Sequence, residues 1–170
     1  WLGSGSTEAY LLGLLPALDR LERRYGIELR VISTGRPNPG FGGRPWIRYV
    51  AWREDTVAEE LQQSDLAVGP LPDTPFARGK CAYKLLQYAA TGLPMAGAPV
   101  GANRLALERF GGSSVTGEWD EALAALLDAP ESVRADLGRQ GLAAVDRHYS
   151  FAAWAPAWCR AVGIEPSTAG

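Results

Sequence analysis

The feature that most constrains the fold is the alternation of short apolar segments with helical segments along the 170 residues. Residues 27–33 (IELRVIS) alternate and are β-branched, and residues 65–71 (DLAVGPL) and 94–101 (PMAGAPVG) form short apolar runs. Residues 6–26 place leucines at helical spacing, and most of residues 75–94 fit a further helix. Strands that alternate with helices across short turns predict a doubly wound α/β fold, a parallel sheet with helices on both faces.

Composition and charge fit one globular domain and exclude several function classes. The chain is 46% hydrophobic, with 17 basic and 19 acidic residues spread without long runs. This balance predicts no binding surface for nucleic acid or for an anionic membrane, and no apolar run is long enough to span a bilayer. Cys81 and Cys159 lack the spacing of a metal knuckle or a redox pair, which suits a reducing, cytoplasmic protein without a metal site.

The two ends of the chain carry separate expectations. Residues 1–6 (WLGSGS) look like the end of a strand that runs into a glycine turn, and the first residue is Trp1 rather than methionine. We therefore expect this single domain, residues 1–170, to be part of a longer protein. The last six residues, 165–170 (EPSTAG), have the composition of a disordered tail.

The glycine turn is the first candidate site. In parallel sheets, ligands bind outside the carboxyl ends of the strands. Gly5 lets the backbone approach a ligand, and Ser4, Ser6 and Thr7 supply hydroxyl groups. The turn lacks the third glycine of a dinucleotide fingerprint and the lysine of a P-loop, so it indicates a ligand only weakly.

The second candidate site is a predicted helix start. A proline-rich loop that includes Leu71 precedes a helix expected to begin near Gly79. The first backbone N–H groups of a helix have no partner within it and favour anions. The N–H groups expected to be free here belong to Gly79, Lys80, Cys81 and Ala82.

The same helix is predicted to present two cations on one face. Lys80, Lys84 and Gln87 follow one another at helical spacing, and no acidic residue lies between Asp73 and Glu108. Two ammonium groups beside a helix N-terminus suit a diphosphate. The residues alone leave open whether these lysines bind an anion or only form a solvated face.

Residues 64–104, with the motif KLLQYAATGLP at their centre, resemble the donor-binding half of group-one glycosyltransferases of the retaining class with the GT-B fold. The resemblance extends from WLGS to the terminal HYS-x-x-x-W. It implies a Rossmann-like C-terminal domain that binds a nucleotide-diphospho-sugar, without metal or cofactor. An N-terminal domain of the same chain would hold the acceptor and the catalytic residues. Helix 151–162 would cross to that domain, so that Trp154 and Trp158 would be exposed in its absence.

The sequence departs from the pattern of this family at two places. The positions of its two signature glutamates are Gly79 and Gln87, and a serine-containing turn replaces the usual arginine and lysine after the first strand. Positive charge would then come from Arg78, Lys80 or Lys84, of which Lys84 matches a K-x-x-E-Y-x-A-x-G-x-P branch of the family. The expected donor-binding residues are Ser4, Gly5, Ser6, Leu71, Gly79, Lys80, Cys81, Lys84 and Gln87.

Two other functions remain open. Loss of both glutamates is compatible with a non-catalytic nucleotide-binding or scaffolding module. A nonhydrolysing epimerase on the same architecture would need carboxylates and histidines that the sequence does not place together. His148 lies at the end of a predicted helix, where a cation suits the helix dipole, and is not a catalytic candidate.

Overall fold

A computed structural model describes residues 1–164; the tail predicted to be disordered, residues 165–170, lies outside the described residues. Its strands are β1 (Leu29–Ser33), β2 (Ile47–Ala51), β3 (Ala67–Gly69), β4 (Met95–Gly97) and β5 (Ser113–Ser114). Its first five helices are α1 (Glu8–Leu12), α2 (Leu15–Tyr25), α3 (Val57–Gln62), α4 (Pro75–Arg78) and α5 (Tyr83–Ala90). The remaining helices are α6 (Asn103–Phe110), α7 (Trp119–Asp128), α8 (Glu131–Tyr149) and α9 (Phe151–Val162).

The strands form two parallel sheets, β1–β2 and β3–β4–β5. The segment Trp1–Gly3 extends the first sheet along the free side of β1. There the Trp1 nitrogen donates to the Arg30 carbonyl at 2.8 Å, and the Gly3 N–H donates to the Ile32 carbonyl at 2.9 Å. Leu2 and Ile32 form a parallel bridge. Trp1–Gly3 is therefore a short parallel strand.

Helices cover both faces of this β structure. Val31 and Ile32 are consecutive in β1, so their side chains point to opposite faces. Val31 lies in one buried cluster with residues of α2 and α7, and Ile32 lies in another with residues of α5 and α6. The predicted doubly wound, Rossmann-like α/β architecture is confirmed.

The first predicted helix is broken. Residues Gly5–Thr7 form one 3-10 turn, α1 ends at Leu12, and α2 starts at Leu15. Pro16 has no N–H and therefore suits the first turn of a new helix better than the interior of a long one. Gly26 ends α2 at φ +66°, as predicted from the sequence.

The predicted helix start at Gly79 is wrong. The Gly79 and Lys80 N–H groups close the end of α4, donating to the carbonyls of Phe76 and Ala77 at 3.3 and 3.1 Å. Ala82 then adopts a left-handed conformation, φ +59°, and α5 begins after it. Gly79 and Lys80 are therefore not free amides at a helix start.

Two further details of that helix change with its start. Lys80 precedes α5, so it does not share a helix face with Lys84 and Gln87. Cys81 is exposed, whereas Leu85 and Ala89 of α5 are buried.

The last helix lies apart from the core. Ser150 caps α9 by accepting a hydrogen bond from the Ala153 N–H at 3.1 Å, and no residue of α9 is buried. Trp154 and Trp158 are 53% and 68% exposed. Among residues 1–164, no helix is both long and apolar enough to cross a membrane.

Candidate functional site

A cavity of about 330 Å³ lies at the carboxyl edge of the strands, between the glycine turn and the start of α5. This is the edge at which ligands bind in open parallel sheets. Side chains from several loops meet there, and none of the residues that line the cavity is acidic. The lining residues are Thr7, Tyr10, Gly69, Pro70, Leu71, Gly79, Lys80, Cys81, Ala82, Tyr83, Lys84, Leu85 and Asn103.

Lys84 reaches from the first turn of α5 to the opposite wall of this cavity. Its Nζ donates a hydrogen bond to Thr7 Oγ1 at 3.1 Å and lies 4.2 Å from the centroid of the Trp1 ring. Thr7 Oγ1 in turn donates to the Ser4 carbonyl at 3.0 Å. The ammonium thus joins α5 to the glycine turn.

The charge of Lys84 is poorly compensated. Among residues 1–164, no carboxylate forms an ion pair with this ammonium. Burial, and secondly the charge of Lys80, lower the pKa of Lys84 to about 8. A bound anion would raise that pKa and relieve the cost of the buried charge.

The other basic side chains that were considered differ in availability. Lys80 also lines the cavity, and its Nζ lies 4.7 Å from the centroid of the Phe76 ring. Arg78 forms two hydrogen bonds with Asp73, at 2.6 and 3.0 Å, so its charge is already compensated. The chain has 17 basic residues, of which only two are lysines. Both lysines line this one cavity.

Backbone N–H groups add to the positive potential at this wall. The first N–H of α5 with a local acceptor is that of Leu86, which donates to the Ala82 carbonyl at 3.1 Å. For residues 81–85 no acceptor of the backbone N–H is found within the described part of the chain. The helix start with unpartnered N–H groups thus lies about one turn after the predicted one, at Tyr83 rather than Gly79.

Of the hydroxyl groups in the glycine turn, only that of Thr7 belongs to a residue that lines the cavity. Ser4 Oγ lies 3.0 Å from Ser6 Oγ, and the Ser4 N–H donates to Thr7 Oγ1 at 3.2 Å. Ser4, Gly5 and Ser6 do not line the cavity. Gln87 also lies outside it, about one helical turn beyond Lys84.

Several residues of the site were not selected from the sequence. Trp1 holds the lysine from 83 positions away, and no local pattern indicates such a contact. Tyr10 faces the cavity from α1, one helical turn after Thr7. Asn103 is buried at the start of α6 and donates from Nδ2 to the Ala98 carbonyl at 3.2 Å. The Gly101–Ala102 turn before it was the available sequence signal for a loop at this edge.

Glu8 is a buried carboxylate near the turn, and its oxygens accept hydrogen bonds from two hydroxyl groups and one backbone N–H. It accepts hydrogen bonds from Ser33 Oγ at 2.5 Å, from the Asn38 N–H at 2.9 Å and from the Tyr49 hydroxyl at 3.2 Å. Burial is the main reason that the pKa of Tyr49 is raised. These contacts attach the loop after β1 to α1, and Glu8 does not line the cavity.

A larger cavity, about 510 Å³, lies at the opposite edge of the strands. It is bordered by residues 27–30 before and within β1 and by residues 63–66 before β3. This is the amino edge, where parallel sheets do not usually bind ligands. The smaller cavity, which both lysines line, is therefore the candidate site. No cluster of metal-ligating side chains occurs within residues 1–164.

Comparisons with known proteins identify the fold without a family. No family model matches the sequence, and no curated protein matches it. Among solved structures, the chain is similar to one described as "Crystal structure of GtfA/B complex", with a TM-score of 0.68 and 12% identity over 95% of this chain. The chain spans 35% of the length of that chain. At this identity the likeness shows a shared fold.

Proposed function

We propose that this domain binds a nucleotide-diphospho-sugar and is the donor-binding half of a glycosyltransferase. The acceptor would be held by an N-terminal domain, which would also supply the catalytic groups. The isolated domain would then transfer no sugar. The proposal combines the glycosyltransferase-like fold with the resemblance of residues 64–104 to donor-binding domains.

One observation carries the proposal: the ammonium of Lys84 is half-buried at the carboxyl edge without a carboxylate partner in the described chain. A buried cation is stable only when its charge is compensated. Here the neighbouring groups are a hydroxyl, an aromatic face, a second ammonium and the backbone N–H groups at the start of α5. A diphosphate is the anion that matches two ammonium groups and a helix N-terminus.

The physical contribution of the site would be electrostatic. When a sugar leaves a nucleoside diphosphate, negative charge grows on the diphosphate. Lys84, Lys80 and the free N–H groups would stabilise that charge, and thereby the transition state. Neither a metal nor a cofactor is part of this proposal.

Calorimetric titration with uridine, guanosine and adenosine diphosphates tests the proposal. We expect at least one of them to bind to the unmodified chain, and Lys84→Met to weaken that binding at least about tenfold, since charged hydrogen bonds are worth about 1.5–3 kcal/mol. The matched control is Arg23→Gln, which removes an exposed positive charge from α2. Equal affinity of Lys84→Met and the unmodified chain would contradict the proposal.

A second candidate function, a non-catalytic scaffolding module, is favoured by the absence of acidic residues from the cavity wall. Gly79 and Gln87 stand where the resembled family has glutamates, and Gln87 does not reach the cavity. Failure of all three nucleoside diphosphates to bind would support this module over a donor-binding domain.

A further inference from the structure

Two contacts fix the ammonium of Lys84, and both come from the first seven residues. Thr7 Oγ1 accepts one N–H, at 3.1 Å. The Trp1 ring presents its face at 4.2 Å, which is a cation–π contact. The ammonium of a lysine is carried on a flexible four-carbon chain, so without such contacts it would sample many positions.

The Trp1 ring is itself held rigidly. Only 6% of Trp1 is exposed, and its side chain belongs to the buried cluster on the α2 and α7 face. Two hydrogen bonds fix its backbone to β1, because the Trp1 nitrogen donates to the Arg30 carbonyl and the Trp1 carbonyl accepts from the Ile32 N–H, each at 2.8 Å. The indole is therefore a fixed platform for the lysine.

Gly3 makes room for this arrangement. A Cβ at this position would collide with the Trp1 ring and would lie 2.7 Å from Lys84 Nζ. The absence of a side chain at Gly3 thus lets the ammonium lie beside both the ring and the glycine turn.

Resting on the proposed function, we propose that Trp1 and Thr7 are positioning residues, which hold the Lys84 ammonium at the cavity wall for the diphosphate. Trp1 limits the ammonium from one side, Thr7 directs one of its N–H bonds, and the remaining donor capacity stays available to a phosphate oxygen. Neither positioning residue needs to touch the ligand. Because a serine-containing turn stands where the resembled family has an arginine and a lysine, this fixed lysine would supply the positive charge of the site.

The chain offers matched variants for both contacts. Trp1→Leu removes the aromatic face, and Trp1→Phe restores a smaller one. Thr7→Val removes the hydroxyl in a side chain of nearly the same shape, and Thr7→Ser restores it. Phe76→Leu is the control, because it removes the ring beneath Lys80 and leaves the contacts of Lys84 intact.

Two measurements together decide the proposal. Because the chain contains only two lysines, carbon-13 labelling of lysine gives two sets of side-chain NMR signals. We expect the Lys84 Cε protons to be shifted upfield by the Trp1 ring current. Trp1→Leu should abolish that shift, whereas Phe76→Leu should move only the Lys80 signal. In calorimetry with uridine and guanosine diphosphates, Trp1→Leu and Thr7→Val should each weaken binding about tenfold, with partial recovery in Trp1→Phe and Thr7→Ser.

The possible results separate this proposal from the proposed function. If a diphosphate binds and both Trp1→Leu and Thr7→Val retain the original affinity, the positioning role is overturned while the donor site stands. If Trp1→Leu does not fold, Thr7→Val with its Thr7→Ser partner decides the question alone. If no diphosphate binds the unmodified chain, the proposed function falls and the positioning role falls with it.

Discussion

The Leu2 N–H donates a hydrogen bond to the Tyr88 hydroxyl at 2.9 Å, across 86 positions of the sequence. The same hydroxyl donates to the Val68 carbonyl at 3.3 Å. Tyr88 therefore connects the Trp1–Gly3 segment to β3, where the backbones of the two sheets do not pair directly. Burial raises the pKa of this hydroxyl well above its ordinary value, so it stays neutral and able to donate.

Replacing Tyr88 by phenylalanine should destabilise the domain by about 1–3 kcal/mol, because the buried Leu2 N–H and Val68 carbonyl would lose their partner. Urea unfolding followed by circular dichroism measures this change. Tyr83→Phe is the matched control, since Tyr83 is 61% exposed and should change the free energy of unfolding by less than about 0.5 kcal/mol. Equal stabilities of the two variants would show that the hydroxyl bridge is unimportant.

The stability of the chain should rise with pH above about pH 8, through Lys84. Its pKa is lowered from 10.5 to about 8 in the folded state, mainly by burial. Between these values the unfolded chain retains a proton that the folded chain has released, so the free energy of unfolding increases with pH. Below about pH 8 both states carry the proton and Lys84 adds no slope.

The other titrating groups near Lys84 set the range of that measurement. Burial also lowers the pKa of the Trp1 amino group of this chain, from 8.0 to about 5, so its contribution to the slope ends only about one pH unit above 8.0, and the slope due to Lys84 is read above that point. Lys80 faces the same cavity. Unfolding should be measured below about pH 10, where tyrosines begin to ionise. Lys84→Met should remove the rise, and an unchanged slope in that variant would refute its assignment to Lys84.

Gly138→Ala should destabilise the domain even though alanine is the better helix former. Gly138 lies in α8, and a Cβ there would collide with the Gly92 carbonyl oxygen, which cannot move aside as a flexible side chain would. The gain in helix propensity, about 1 kcal/mol, is smaller than the overpacking cost of about 1–3 kcal/mol or more. Thermal unfolding compares this variant with Gly117→Ala, whose added methyl meets no atom within 4 Å. A Gly138→Ala protein as stable as the parent would contradict the close approach.

Substitution on α9 should change association rather than folding. Phe151 is almost fully exposed, and Trp158 lies two helical turns further along the same helix. Such exposed apolar surface favours self-association. Phe151→Ser with Trp158→Gln should lower the sedimentation coefficient measured at high protein concentration and leave the unfolding midpoint nearly unchanged. A lower unfolding midpoint would mean that these side chains support the domain itself.

The architecture could be predicted from the sequence because strands and helices are indicated by the spacing of apolar residues that are close together in the chain. The alternation in residues 27–33, the helical leucines before Gly26 and the apolar runs at β3 and β4 all correspond to observed elements. Two helix boundaries were predicted wrongly, the break near Gly13 and the start near Gly79, and each error has a local cause. At the second of these, Ala82 adopts a left-handed conformation that alanine rarely takes, so its sequence gives no signal of a break.

The candidate site was only partly predictable. Lys84 was selected from its motif and indeed lies at the cavity wall, whereas the contact of its ammonium with Trp1 depends on how the sheet brings the first residues beside α5. Gln87 was placed by the spacing of a resembled signature, but the shifted start of α5 leaves it outside the cavity wall. Contacts between residues far apart in the chain, such as that of Lys84 with Trp1, cannot be inferred from hydrophobic periodicity or from composition.

The Trp1–Gly3 segment both joins the two sheets and borders the ammonium of Lys84. A ligand that binds this ammonium would therefore also stabilise the position of the Trp1–Gly3 segment between the two sheets. The ligand would not need to contact either sheet. The amide hydrogens of Gly3 and Ile32, which attach the segment to β1, are therefore the ones whose exchange with solvent would slow first when the cavity is filled.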